Sequence, residues 1–174
     1  TQKLSSFDLA KVHSISFTGG EPLMFVDFLD EFLENFKPIK EKYNLKIYLE
    51  TNGTLYKNLE KIVKKIDIVS MDIKLKTATG EENKFDVNDK FLKIAKNVET
   101  YIKVVFDEKI EESEIENCCK LALKYNVPLY LQPESSYLFN ELKKQNNTSF
   151  LESIHEKFLE YYKDANALQY KITI

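Results

Sequence analysis

Arginine is missing from this 174-residue chain; lysine supplies all 25 of its basic residues. Bidentate guanidinium recognition of phosphate is therefore excluded. With 28 acidic residues, a net charge of -3 and a pI near 5.6, no clustered basic footprint for nucleic acid is expected. Long apolar runs are missing too. No stretch of about 18 apolar residues occurs, and the first residues lack a basic region followed by an apolar one. Neither a membrane span nor a signal peptide is indicated, and the cytoplasm is the expected location. Cysteine is reduced to the adjacent pair Cys118 and Cys119, which excludes a disulfide framework and fits a reducing compartment. His13 and His155 are isolated, with no neighbour at metal-ligand spacing, so no metal site is assigned.

Glycine is the most informative scarcity. Three of the four glycines, Gly19, Gly20 and Gly53, fall at the ends of predicted strands, each followed by a helical pattern. In open α/β folds the crevice outside the carboxyl ends of the strands collects ligands, because backbone amides, helix N-termini and loop side chains converge there.

What is present is an alternation of strands and helices. Apolar strands are predicted from Ser14, Lys46, Ile66, Tyr101 and Leu129, with a sixth candidate at Leu168–Ile174. The first stretch, Leu4–Lys11, reads as a helix tail. Phe25–Tyr43 carries apolar residues at three-and-four spacing, with Pro38 expected to bend or break the helix. Leu55–Lys65 reads as a shorter helix, Thr77–Asp89 as a loop, and Phe91 to Val98 as a helical stripe. A helix capped by Ser113 is expected to run to Tyr125, and a last helix from Ser149 to about Lys163. Such alternation implies an α/β fold with a mostly parallel sheet, and the length suits a single domain.

Three strand ends carry the chemistry. The first ends in Thr18-Gly19-Gly20-Glu21-Pro22, the second in Glu50-Thr51-Asn52-Gly53, and the third in Ser70-Met71-Asp72-Ile73-Lys74. Asp72 and Lys74 alternate with apolar neighbours and share one face of their strand with Ser70. Carboxylates, a carboxamide and an ammonium brought together would complement a ligand bearing both an amino and a carboxylate group. Lys103, inside a strand, is costly to bury unless paired, which points to an interior partner or to snorkelling.

These motifs resemble those of the radical S-adenosylmethionine enzymes: GGEP at Gly19–Pro22, ETNG at Glu50–Gly53, and the SxDxK strand end at Ser70–Lys74. Within that superfamily, Asp72-Ile73-Lys74-Leu75 running into Thr79-Gly80, and the later Leu131-Gln132-Pro133, are most similar to the 7-carboxy-7-deazaguanine synthase family. The resemblance covers about Val12 to Glu134 and implies a partial (β/α) barrel. Five of its parallel strands would be present, and the first β/α unit, which carries the cluster loop, would be missing from this single domain over residues 1–174. The open edge at the Ser14 strand is then expected to be covered by something.

The resemblance implies S-adenosyl-L-methionine as cofactor, with Gly19, Gly20 and Glu21 receiving its amino group and Lys74 neutralising its carboxylate. Glu50, Thr51 and Asn52 would meet the ribose or methionyl part or a cation. Ser70 and Asp72 would add contacts, and Gln132 would touch adenosine or substrate. It further implies an iron-sulfur cluster, magnesium assistance, a flavodoxin or ferredoxin electron donor, a homodimer, and ring contraction of a pterin-like substrate, 6-carboxy-tetrahydropterin. The cluster's three cysteines, usually spaced CxxxCxxC upstream of GGEP, have no counterpart in this chain, and two adjacent thiols cannot replace them. The catalytic residues stay unassigned. Three readings are open: a radical enzyme whose cluster segment is missing from the sequence, a glycyl-radical-enzyme activase, or an inactive S-adenosylmethionine-binding homologue.

Overall fold

The computed structural model describes residues 8–134, the helical positions 152, 153, 156, 157 and 160, and the strand residues 171–172. One sheet holds six parallel strands in strict chain order: β1 (Ser14–Phe17), β2 (Lys46–Thr51), β3 (Ile68–Ile73), β4 (Glu99–Phe106), β5 (Leu129–Pro133) and the two-residue β6 (Lys171–Ile172). Sequential order with every neighbour parallel is the winding of a (β/α) barrel, whereas a doubly wound sheet reverses its order. The sheet does not close: among the described residues β1 pairs only with β2.

The strand pattern decides which side is core. Ile47 and Leu49 of β2, Val69, Met71 and Ile73 of β3, Ile102, Val104 and Phe106 of β4, and Leu129 and Leu131 of β5 point to one face and are buried. That face is covered by α1 (Val26–Tyr43), α2 (Tyr56–Ile62), α4 (Phe85–Ala95) and α5 (Glu112–Tyr125), which contribute Leu29, Leu33, Leu59, Phe91, Ile115 and their neighbours to the same core. α1 packs on α2, α2 on α4, and α4 on α5. The opposite, concave face carries Tyr48, Glu50, Ser70, Asp72, Tyr101, Lys103, Tyr130 and Gln132. These residues alternate along each strand with the buried ones and so share the face away from the helical core.

Several local expectations are revised. α1 runs unbroken through Pro38, which removes only the bond to the Glu34 carbonyl while Leu33 and Phe36 hold the helix on the core. The predicted loop Thr77–Asp89 is mostly helical: α3 (Lys76–Thr79) and α4 leave only positions 80–84 between them. Glu81, Glu82 and Lys84 lie in that connection, and Asp86 and Asp89 lie on α4, whose Asn88 is buried. α5 is capped by Glu111 and not by Ser113, through a capping box in which Glu111 and Glu114 each accept the other's backbone N–H. Before β1 only a single 3-10 turn, Leu9–Lys11, is seen of the helix tail, whose earlier part lies outside the described residues. The last helix is described only at the five positions given above.

Beside the free edge of β1, Phe17 packs edge-on against Phe32 of α1 at 5.6 Å, and Met24, Phe25 and Phe28 are all more than 60% exposed. Among the described residues no strand pairs with this edge.

Candidate functional site

The carboxyl end of β1 turns into the cavity mouth through Gly19 and Gly20, at φ +90° and +58°. A Cβ at either position would meet no atom within 4 Å, so these glycines answer to backbone conformation and leave open space in front of them. Gly53 is different. At φ +68° it also lies under Met71, whose Cγ and Sδ would be 2.5 Å from an added Cβ.

Glu21 ties the first turn to the second. One oxygen, Oε1, accepts from the Leu23 N–H (3.2 Å) and the Thr51 hydroxyl (2.8 Å), while Oε2 accepts from the Asn52 N–H (2.8 Å). Across the same gap the Thr18 hydroxyl donates to Glu50 Oε2 at 2.9 Å. Asn52 forms an Asx turn, its Oδ1 accepting from Thr54 N (3.0 Å) and Oγ1 (2.6 Å). Buried Asn88, on α4, donates to the carbonyls of Asn52 and Gly53 and holds this turn from behind. Nothing in the sequence signalled Asn88, since its segment read as a loop.

The third strand end supplies charge. Asp72 Oδ2 lies 2.7 Å from Lys74 Nζ and 3.6 Å from Lys103 Nζ, the latter in register on β4. The interior partner expected for Lys103 is therefore Asp72. Oδ1 of Asp72 is buried and has no hydrogen-bond partner, an uncommon condition for a carboxylate oxygen.

Beneath these groups Tyr48 and Tyr101 reach across β3, and their hydroxyls share a hydrogen bond. They roof over Ser70, which is 2% exposed. Burial, and then the bond to Tyr101, push the Tyr48 phenol well above its ordinary pKa. Their positions two residues below Glu50 and Lys103 follow from strand periodicity, so alternation alone could have flagged them.

Together the three turns enclose an open cavity of about 210 Å³. Gly19, Gly20, Glu50, Thr51, Asn52, Ser70, Asp72 and Lys74, all anticipated from sequence, line it, and Thr18 and Lys103 join them. Glu21 stands behind the wall it braces. Gln132 lies on the same sheet face but on β5, exposed and outside the lining. A second cavity of about 250 Å³, with Thr54, Thr79, Glu81, Lys84 and Asn88, shares Asn52 and Lys74 as a common wall. Either alone is smaller than the roughly 300 Å³ at which small-molecule sites begin, but the two side by side exceed it.

Thiol chemistry is elsewhere. Cys118 and Cys119 are buried on α5 in the helical core, on the other side of the sheet. Burial pushes the Cys119 thiol up to about 12 and raises that of Cys118 well above its ordinary value. No group of three or more His, Cys, Asp or Glu residues placed to hold a metal occurs among the described residues, and no helix there is long and apolar enough to cross a membrane.

No family model matches the chain. Three curated proteins, each named 7-carboxy-7-deazaguanine synthase, resemble it. That of Geobacter sulfurreducens is 38% identical over 122 residues, covering 69% of this chain and 47% of the relative. That of Methanothermobacter thermautotrophicus is 33% identical over 173 residues, covering 86% and 66%. That of Archaeoglobus fulgidus is 31% identical over 131 residues, covering 72% and 54%. The chain thus spans half to two thirds of the length of the relatives it matches.

Proposed function

The chain is homologous to the 7-carboxy-7-deazaguanine synthases, and from that we propose that it is the cofactor-binding part of a radical S-adenosylmethionine enzyme of deazapurine synthesis, acting on a pterin-like small molecule in the cytoplasm. The observation that supports this reading is the convergence of three strand-end turns on one cavity. The cavity is neutral in sum but divided by sign. Glu50 stands on one side, at β2, and Lys74 and Lys103 stand on the other, with Asp72 between them.

That division suits an amino acid. The backbone at Gly19 and Gly20 and the Glu50 carboxylate would take an ammonium, with open space in front of the glycines to admit it. Lys74 would take a carboxylate, and the Thr51–Asn52 turn, opening on the second cavity, would hold the sugar. Ser70 and Asp72 would close the floor. Glu21 would act by fixing the geometry of the first two turns, because three donors already occupy its carboxylate. Gln132 would reach only a substrate that extends across β4. When bound, S-adenosylmethionine supplies a sulfonium whose carbon-sulfur bond can be cleaved reductively. The protein's part is to orient that bond and exclude water.

An iron-sulfur cluster does not fit the described residues, since both thiols are buried on the far side of the sheet. A cluster, magnesium and a flavodoxin- or ferredoxin-like donor would need ligands and docking surface other than these residues.

Isothermal titration with S-adenosylmethionine tests the proposal. We expect saturable binding by the chain, weakened about tenfold or more by Asp72→Asn or Gly20→Ala. Absence of binding by a chain with an intact circular dichroism spectrum overturns it.

A further inference from the structure

The strap that follows β3, residues 76–84, walls the second cavity with little buried surface to hold it. Thr79, Glu81 and Lys84 line that cavity, yet residues 78–82 are all exposed. Leu75 before the strap is buried, and α4 begins after it at Phe85. A stretch with few buried contacts opens locally at little cost, so a wall of constant shape needs polar ties.

Glu114, on the first turn of α5 and 1% exposed, supplies them. Its Oε1 accepts from the Thr77 N–H (3.2 Å) and the Asn83 amide (3.1 Å), and its Oε2 from the Thr77 hydroxyl (2.5 Å). Asn83 closes the strap on itself, its Oδ1 accepting from the Lys76 N–H at 2.8 Å. The fourth donor to the carboxylate is the Glu111 N–H of the capping box, so the strap is tied to a helix whose Ile115, Cys118 and Cys119 belong to the core. Glu114 itself lines neither cavity. A glutamine in its place has one acceptor oxygen where four donors converge, and its NH2 group faces either the Thr77 and Asn83 donors or the Glu111 N–H.

We propose that Glu114 is a positioning residue for the ligand: through Thr77 and Asn83 it fixes the strap as the wall against which the nucleoside part of a sulfonium amino acid rests, and it touches no ligand atom itself. This rests on the reading of the two cavities given above and adds to it what keeps the second one formed. A preorganised wall lowers the ordering cost of binding, so its loss weakens the part of the ligand it meets and spares the part held elsewhere. The amino-acid end is held by turns that Glu21 braces, and by Lys74, which buried Leu75 separates from the strap.

Isothermal titration with three probes tests this: S-adenosylmethionine, methylthioadenosine, which keeps the nucleoside and lacks the amino acid, and S-methylmethionine, a sulfonium amino acid without the nucleoside. At a temperature where circular dichroism shows the variant folded, Glu114→Gln should weaken the first two by about fivefold or more and leave the third within about twofold. Hydrogen exchange of the amides in 76–84 should be faster in the variant, and slower in wild type once S-adenosylmethionine is added. Thr77→Val removes one bond and leaves α5 and its cap untouched. It should show the same pattern at smaller size and add little to Glu114→Gln, since both act on one contact. Equal weakening of all three probes marks a general loosening and overturns the assignment. Unchanged S-adenosylmethionine affinity in Glu114→Gln, or unchanged exchange in 76–84, overturns it too, while the cofactor reading stands. If wild type binds no S-adenosylmethionine, the cofactor reading fails and this assignment with it.

Discussion

Glu21 and Asn52 are 31 positions apart, yet the carboxylate of the first accepts the backbone N–H of the second at 2.8 Å. The same carboxylate takes the Thr51 hydroxyl, so one side chain sets the spacing between two turns that border the cavity. The Glu in this GGEP segment therefore has an architectural duty that its position at a loop rim did not suggest.

Removal of that brace should lower stability and loosen the site together. Glu21→Ala leaves three donors without their acceptor and should cost about 2 to 3 kcal/mol, or roughly 4 to 10 °C in Tm for a domain of this size. Thermal denaturation read beside S-adenosylmethionine affinity checks it. A variant as stable as wild type would show that the bonds contribute nothing.

The glycines should separate by mechanism. Gly53→Ala places a Cβ 2.5 Å from Met71 at a left-handed φ and should destabilise by about 2 kcal/mol or more. Gly19→Ala, which meets no neighbour, should cost only the backbone term of about 1 to 2 kcal/mol, and it should weaken ligand binding more than stability. Urea unfolding and titration of both variants give the comparison, and equal stability losses would contradict it.

Glu114 links α5 to the segment after β3. Burial pushes its carboxyl up, but hydrogen bonds from the Thr77 hydroxyl (2.5 Å), the Thr77 N–H (3.2 Å), Asn83 (3.1 Å) and the Glu111 N–H (3.2 Å) outweigh it and hold the pKa below the ordinary 4.5. The native state thus favours the ionised form. Its stabilising contribution is complete above the unfolded-state value and is lost as pH falls below 4.5 through the folded value. Glu114→Gln should be less stable than wild type at pH 7, with the gap narrowing under acid. A gap that stays constant from pH 7 to about pH 3 would refute the linkage.

Tyr48 should mark the alkaline side. Its phenol is raised by burial and by the bond to Tyr101, so folding favours the neutral form. That contribution is present below the unfolded value of about 10 and is lost as pH climbs through the raised folded value. Ultraviolet titration should show a late step after the exposed tyrosines have titrated, to which Tyr125, also raised by burial, contributes, and Tyr48→Phe should diminish it. A late step of undiminished amplitude in the variant would place it on other residues.

Much of the fold was legible because burial imposes period two on strands and three-to-four on helices. β2 and β4 alternate cleanly between core and cavity, and Leu29, Leu33 and Phe36 announce α1 despite Pro38. Where the sequence misled, charge stood on the solvent side of a helix. The residues between Thr77 and Asp89 are polar, yet α4 begins at Phe85, because tertiary packing of Asn88, Phe91 and Leu92 selects the helix over the loop their composition suggests. Ser113 was the better cap by type, but Glu111 took the place because Glu114 was available three residues on to answer it.

Local sequence by itself determined the strand ends and the residues carried there: glycine is needed for backbone at positive φ, and alternation puts Ser70, Asp72 and Lys74 on one side of β3. Only tertiary structure decided which of these groups remain free for a ligand. Glu21 became a brace and Lys103 was left with a distant partner, because contacts between residues 30 or more apart depend on how strands register and not on what neighbours them in the chain.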